Sequence, residues 1–177
     1  MKMLKMAAGV AALGVVASAS AQLDVHPANL TFRAGLVLPV DSALRNFSKT
    51  FFGVGVDYVL PNQFLNLKNS ESYISLDWFG RSSNGVNGNV FPIAFNQRFW
   101  LGQNSSSLGR YGTPYATFGI GAAIIDVGQS STKLLLRGGL GVELGSHLCA
   151  EAILTLTDKS ASGVRANAVG IYVGYRF

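Results

Sequence analysis

Eight times along this chain a stretch of about ten residues alternates large apolar side chains with small or charged ones, then breaks at a cluster of Gly, Asn, Ser or Pro. The stretches run Leu30 to Leu38, Phe51 to Leu60, Glu71 to Phe79, Val90 to Leu101, Tyr115 to Val127, Lys133 to Leu144, Cys149 to Thr157 and Asn167 to Phe177. In a strand, residues two apart share a face, so this period predicts eight strands, each with two unlike faces. Phe52, Val54, Val56, Tyr58 and Leu60 oppose Gly53, Gly55 and Asp57. Leu134, Leu136, Leu140, Val142 and Leu144 oppose Lys133, Arg137, Gly139, Gly141 and Glu143.

A water-soluble barrel needs charge outside and bulky apolar side chains within. Here the greasy face is the bulky one, and the other is glycine plus charge. That parity fits a narrow barrel whose apolar face meets lipid. Lipid offers no partner to a backbone N–H or C=O, so every strand must pair on both edges, and an even strand number allows closure. The expected fold is therefore all-β, an eight-stranded antiparallel transmembrane β-barrel. Two strands fit less cleanly: Gln97 interrupts the apolar set Phe91, Ile93, Phe95, Phe99 and Leu101, and Ala122-Ala123-Ile124-Ile125 is apolar on both faces.

The amino-terminal segment carries Lys2 and Lys5, a short apolar run from Met6 to Val16, and small residues from Ala17 to Ala21. That order predicts a signal peptide over residues 1–21, cleaved before Gln22, with the barrel occupying 22–177. The apolar run is too short to span ~30 Å of hydrocarbon as a helix. A single cysteine, Cys149, excludes an intrachain disulfide framework. It reads as a small lumen-facing residue. The segment 1–21 holds two of the 14 Lys and Arg, which leaves 12 against 9 acidic residues, too small and too scattered an excess for nucleic acid. Charged residues make up only 13% of the chain, as a lipid-facing barrel requires.

The carboxyl terminus, Val169-Gly170-Ile171-Tyr172-Val173-Gly174-Tyr175-Arg176-Phe177, ends on an aromatic residue with apolar residues at every second place before it. It resembles the terminal-strand signature of bacterial outer-membrane proteins, which is read by the barrel assembly machinery. With the signal and the eight alternating stretches, residues 22–177 resemble the small OmpA-like and OmpX-like barrels of the Gram-negative type of cell envelope. The resemblance implies an outer-membrane location, outer-membrane lipid and the assembly machinery as partners, and Val173, Tyr175 and Phe177 as the assembly signal. It also implies periplasmic termini. The extracellular loops are then Pro39 to Thr50, Gly80 to Asn89, Gly128 to Thr132 and Asp158 to Ala166. Tyr58, Phe99, Tyr175 and Phe177 suit a periplasmic aromatic belt, and Phe52, Trp78 and Phe91 an outer one.

The small-residue face collects Arg33, Arg98, Arg137 and Arg176 against Asp57, Asp77, Glu143 and Glu151. Isolated buried charges are costly, whereas paired ones are tolerable. An eight-stranded barrel is only wide enough for side chains to fill it, so these eight are expected to form a charge network that plugs the lumen. Asp77 is the acid nearest in depth to Arg137, and Glu143 on the same strand is the alternative partner.

Enzyme chemistry finds little footing. The histidines are His26, ahead of the first strand, and His147, in a turn on the periplasmic side. The serines at 82–83, 105–107 and 130–131 have no base partner in the pattern and read as turn residues. No His, Cys or acid cluster has metal-ligand spacing, and glycine runs such as Gly138-Gly139-Leu140-Gly141 lie inside strands rather than ahead of helices. No cofactor is expected. The expectation is a non-enzymatic structural barrel. Alternatives are a surface binding or adhesion protein acting through its loops, or a narrow porin-like pore. Sequence does not fix the oligomeric state.

Overall fold

The structure, a computed structural model, describes residues 29–61, 67–83, 86–101, 112–145, 147–160 and 163–177. The expected signal and its cleavage point, His26 and the serines at 105–107 lie outside the described residues. Among the described residues there are eight strands: β1 (Leu30–Pro39), β2 (Phe51–Val59), β3 (Ser70–Ser83), β4 (Val86–Trp100), β5 (Thr113–Val127), β6 (Gln129–Leu144), β7 (Leu148–Thr157) and β8 (Ala168–Arg176). Each pairs with the next, and β8 pairs antiparallel with β1, so the sheet is a closed barrel.

Strand bounds match the alternating stretches except where hairpins run on. The segments expected as loops at Gly80 to Asn89 and Gly128 to Thr132 are mostly strand: β3 reaches Ser83, β4 starts at Val86, and Gly128 alone separates β5 from β6. Gly128 has φ +76°, a conformation that glycine adopts without steric cost. Polar composition suggested loops there, but a ladder standing in water needs no apolar residues to keep its backbone paired.

The connection from Pro39 to Thr50 departs further from expectation. It contains one short helix, α1 (Ser42–Phe47), within the all-β barrel fold. Asp41 caps it, its Oδ1 accepting from the backbone N–H groups of Ala43 (3.0 Å) and Leu44 (3.3 Å). Leu44 is fully buried and Phe47 stacks on Phe51 with ring centroids 6.2 Å apart. The helix therefore lies over one mouth of the barrel. We call this the loop end, and the opposite one, with Leu30 and Phe177, the terminal end.

Register fixes which inward residues meet. Leu30 pairs with Tyr58, and the pairing continues through Ile74, Phe95, Ile120, Leu136 and Leu156. Carried on through β8, it returns to β1 ten residues along. That stagger tilts the strands and sets residues of distant sequence at one depth.

Face assignment follows the parity. Outward side chains such as Leu140 (64% exposed) and Phe118 (63%) are bare, while inward Tyr73, Tyr115 and Asn96 are wholly buried. Gln97, the irregularity on the outward face of β4, is satisfied locally. Its Nε2 donates to Ser70 Oγ (2.7 Å) and its Oε1 accepts from the Ser72 hydroxyl (2.6 Å). An amide on a greasy face is tolerable when both of its ends are paired within the protein.

Candidate functional site

The barrel interior is the place where chemistry-bearing side chains converge. Arg33 on β1 is its hub. Its Nη2 lies 2.6 Å from Asp77 Oδ1 on β3 and 2.9 Å from Asp57 Oδ1 on β2, and its Nη1 donates to Glu151 Oε1 on β7. Arg137 Nη1 on β6 donates to Asp77 Oδ2 and to Ser75 Oγ (2.7 Å). Arg98 on β4 approaches Asp57 at 3.7 Å and donates to Glu71. Arg176 bridges Glu71 and Glu143, the latter at 2.8 Å. Asp57 lies within ion-pair reach of Arg33 and Arg98 without an aligned hydrogen bond to either.

These contacts link all eight residues expected in the lumen, with Glu71 as a ninth. Glu71 shares the parity of Tyr73 and Asp77, so the alternation could have assigned it. It is the second residue of β3, two after Asn69, whose φ of +55° marks the turn, and strand starts read poorly as faces. Aromatic rings support the same cluster. The Arg98 guanidinium carbon lies 4.8 Å from the centroid of Tyr73 and 4.6 Å from that of Tyr115, and Arg33 lies 5.4 Å from Tyr172. Tyr115 OH donates to Glu151 Oε2 at 3.0 Å.

Glycine makes the room. Gly55 pairs directly with Asp77, and a Cβ there would run into Asp77 Oδ1. Gly141 pairs with Tyr115, and a Cβ there would overlap its ring.

Solvent reaches the network from one side. At the terminal end the side chains of Arg176, Glu71 and Glu143 are 20%, 18% and 24% exposed, while Arg33 is at 0%. Toward the loop end the filling turns apolar: Val37, Phe51, Phe79, Val90, Ile125 and Leu135 pack together beneath Leu44 of α1 and Val164 of the β7–β8 connection. The face expected to be glycine plus charge is thus only partly so. Four of these residues, Val37, Phe51, Phe79 and Leu135, share parity with Arg33, Asp57, Asp77 and Arg137.

The carboxyl-terminal residues sit on the outward face. Val173, Tyr175 and Phe177 are exposed, and Phe177 N donates to Leu30 O at 3.0 Å, extending the β8–β1 seam by one bond. The Phe177 ring meets Phe32 (5.5 Å) and Tyr175 (5.0 Å) edge-on. His147 stacks on Tyr175 at 5.3 Å, and its Nδ1 lies 2.8 Å from the Arg176 carbonyl oxygen. Cys149 is buried on the lumen side, where a Cβ on Gly174 would approach its Sγ at 2.6 Å.

A closed eight-stranded antiparallel barrel with a bare apolar exterior and a charged interior has the architecture of the small OmpA-like and OmpX-like outer-membrane barrels. No family model matches the chain, and no curated protein matches its sequence. Solved structures do match its fold. The outer membrane protein Ail of Yersinia pestis, in a phospholipid bilayer nanodisc, superposes with a TM-score of 0.54 at 14% identity, over 85% of this chain and 99% of that one. The amino-terminal β-barrel domain of Pseudomonas aeruginosa OprF gives 0.53 at 17% identity, over 85% and 98%. The outer membrane enzyme PagL gives 0.57 at 13% identity, over 83% and 98%.

Proposed function

We propose that this chain is an integral outer-membrane protein without enzymatic activity, whose filled barrel serves a structural role in the envelope. The observation that carries this reading is the two-level filling of the lumen: linked ion pairs through its middle and terminal end, and an apolar layer covered by α1 at the loop end. Eight strands leave no bore once side chains of this size point inward. The proposal includes a cleaved signal at 1–21, periplasmic termini, and extracellular placement of α1. Outer-membrane lipid is one partner. The barrel assembly machinery is the other, engaged through Val173, Tyr175 and Phe177.

PagL is described as an enzyme, so the fold alone does not decide the matter. The non-enzymatic reading is supported by the place of His147. It sits at the terminal end, its Nδ1 against a main-chain carbonyl and its ring against Tyr175, both structural engagements.

Conductance across a planar bilayer containing the refolded protein tests the proposal. A filled barrel gives no regular unitary steps. Reproducible ohmic steps of one size would show a pore and overturn the structural reading.

A further inference from the structure

Strand lengths leave one shoulder of the barrel wall open at the loop end. β6 pairs with β5 from Gln129 onward, but its first partner on β7 is Thr157, opposite Leu135. Residues Gln129 to Leu134 therefore carry a ladder on one edge only. Among the described residues, no backbone bond joins them to the β7–β8 connection. Every second residue of such an edge aims its N–H and C=O outward, which makes it a template for another strand. Proteins usually blunt such edges with proline, charge or a cover. This one reads Gln-Ser-Ser-Thr-Lys-Leu, with one charge and no proline. The matching shoulder of β3 is different. Past Gly80, its last residue paired with β2, only Arg81, Ser82 and Ser83 remain, and Arg81 Nη1 donates across to the Thr50 carbonyl at 3.0 Å.

A groove of about 140 Å³ opens on the outward face at the foot of this edge, where β7 stops. Leu134, Leu136, Leu156, Thr157 and Asp158 line it. Roughly 150 Å³ holds a benzene ring, so the groove takes one branched or aromatic side chain. Above it the outward residues Ser130 and Thr132 are exposed, which places the bare edge in water rather than lipid. Lys133 has the opposite, inward parity and is half-buried. None of the ion pairs among the described residues includes it.

We infer that the β6 edge takes up an extended segment of a partner protein by strand addition, with one outward apolar side chain in the groove and one inward acidic side chain beside Lys133. The inference rests on the membrane reading above, which sets the loop end outside the cell. Main-chain bonds to the edge supply affinity, and the two side chains supply sequence preference. A segment antiparallel to β6 continues the line of β7, so its amino-terminal end lies at the groove and its carboxyl-terminal end beside Gln129. The apolar and acidic residues are then neighbours in its sequence, because adjacent residues of a strand face opposite sides. A second copy of this chain fits less well. Two copies in one membrane orientation would run β6 parallel to β6 and set Lys133 near its own like charge.

Synthetic peptides test this on protein refolded into phosphatidylcholine nanodiscs. The probe is N-acetylated Leu-Glu-Leu-Thr-Val-Thr with a carboxyl-terminal fluorophore, and anisotropy reads its binding. Lysine in the glutamate position should weaken binding about fivefold, and Lys133→Glu in the protein should reverse that preference. Alanine at both leucines should weaken it about tenfold. A copy methylated on its backbone nitrogens should not bind, since it cannot extend the ladder. In the unaltered chain, amide exchange at Gln129 to Leu134 should slow when the peptide is added and stay unchanged in the rest of the barrel. No binding by any peptide, equal binding of all four, or exchange that does not slow on this edge overturns the site and leaves the membrane reading intact. Binding with the charge reversal intact, by a chain that folds in water and will not enter lipid, supports the edge and overturns the membrane reading.

Discussion

Arg137 Nη1 donates to Asp77 Oδ2 across the lumen, joining strands β6 and β3 through residues sixty apart in sequence. Asp77 is not Arg137's alone, because its Oδ1 takes Arg33 Nη2 at 2.6 Å. Losing Asp77 leaves buried Arg137 with only the Ser75 hydroxyl and takes one of three carboxylates from Arg33, whereas losing Arg137 leaves Asp77 neutralised by Arg33. Breaking a buried pair costs about 3–5 kcal/mol, less where water enters. Asp77→Ala should sit at the upper end of that range and Arg137→Ala at the lower. Urea unfolding of refolded protein in vesicles reads the order, and an Asp77 variant as stable as the Arg137 one contradicts it. The double mutant should be less destabilised than the sum of the two, since the residues share one contact.

Three glycines separate steric need from general flexibility. A methyl group on Gly55 or Gly141 has no room beside Asp77 Oδ1 or the Tyr115 ring, and overpacking of this kind costs about 1–3 kcal/mol. Gly138 lies on the outward face of β6, where the nearest atoms to an added Cβ are 3.9 Å away. Gly55→Ala and Gly141→Ala should each lower the unfolding midpoint, and Gly138→Ala should leave it unchanged. A uniform effect at all three would mean that glycine serves strand flexibility here, not side-chain space.

The alternation made the barrel legible because the side-chain period of a strand is two: Arg33, Gly35 and Val37 cannot share a face with Phe32, Ala34 and Leu36. It also supplied the list of inward charges. It could not say which charges touch, since contacts across the lumen depend on the ten-residue stagger that no single strand encodes. It could not separate the apolar layer of Phe51 and Phe79 from the ionic layer of Asp57 and Asp77, because parity gives face and not depth. Helix α1 escaped for a different reason. Six residues span less than two turns, too few for a 3.6-residue period to show.

The cover at the loop end should behave as packed core. Leu44 is fully buried among Val37, Phe51 and their neighbours, so Leu44→Ala should cost about 2–5 kcal/mol. Asp41→Ala removes only the cap of a short helix and should cost about 1 kcal/mol. The two midpoint shifts should therefore differ clearly in denaturant titrations. A Leu44 effect as small as that of Asp41 would show α1 to be a loosely held flap.

Phe177 separates assembly from stability. In the folded barrel its contributions are local: one backbone bond to Leu30 at 3.0 Å, and edge-on ring contacts with Phe32 and Tyr175. The β1–β8 seam is held independently by register pairs from Thr31–Arg176 to Pro39–Ala168. Aromatic contacts of this kind add about 0.5–1.5 kcal/mol each, so deleting Phe177 should lower stability modestly and leave refolding in detergent nearly intact. The refolded truncation should still show the compact band of an unheated barrel, shifting only on boiling. In cells the expectation is opposite in scale: if Phe177 completes the signal that the assembly machinery reads, the truncated chain should reach the outer membrane poorly. Quantifying both forms in outer-membrane fractions beside their in-vitro refolding yields decides it. Equal losses in the two assays would assign Phe177 to seam stability, and normal insertion in cells would remove it from the assembly signal.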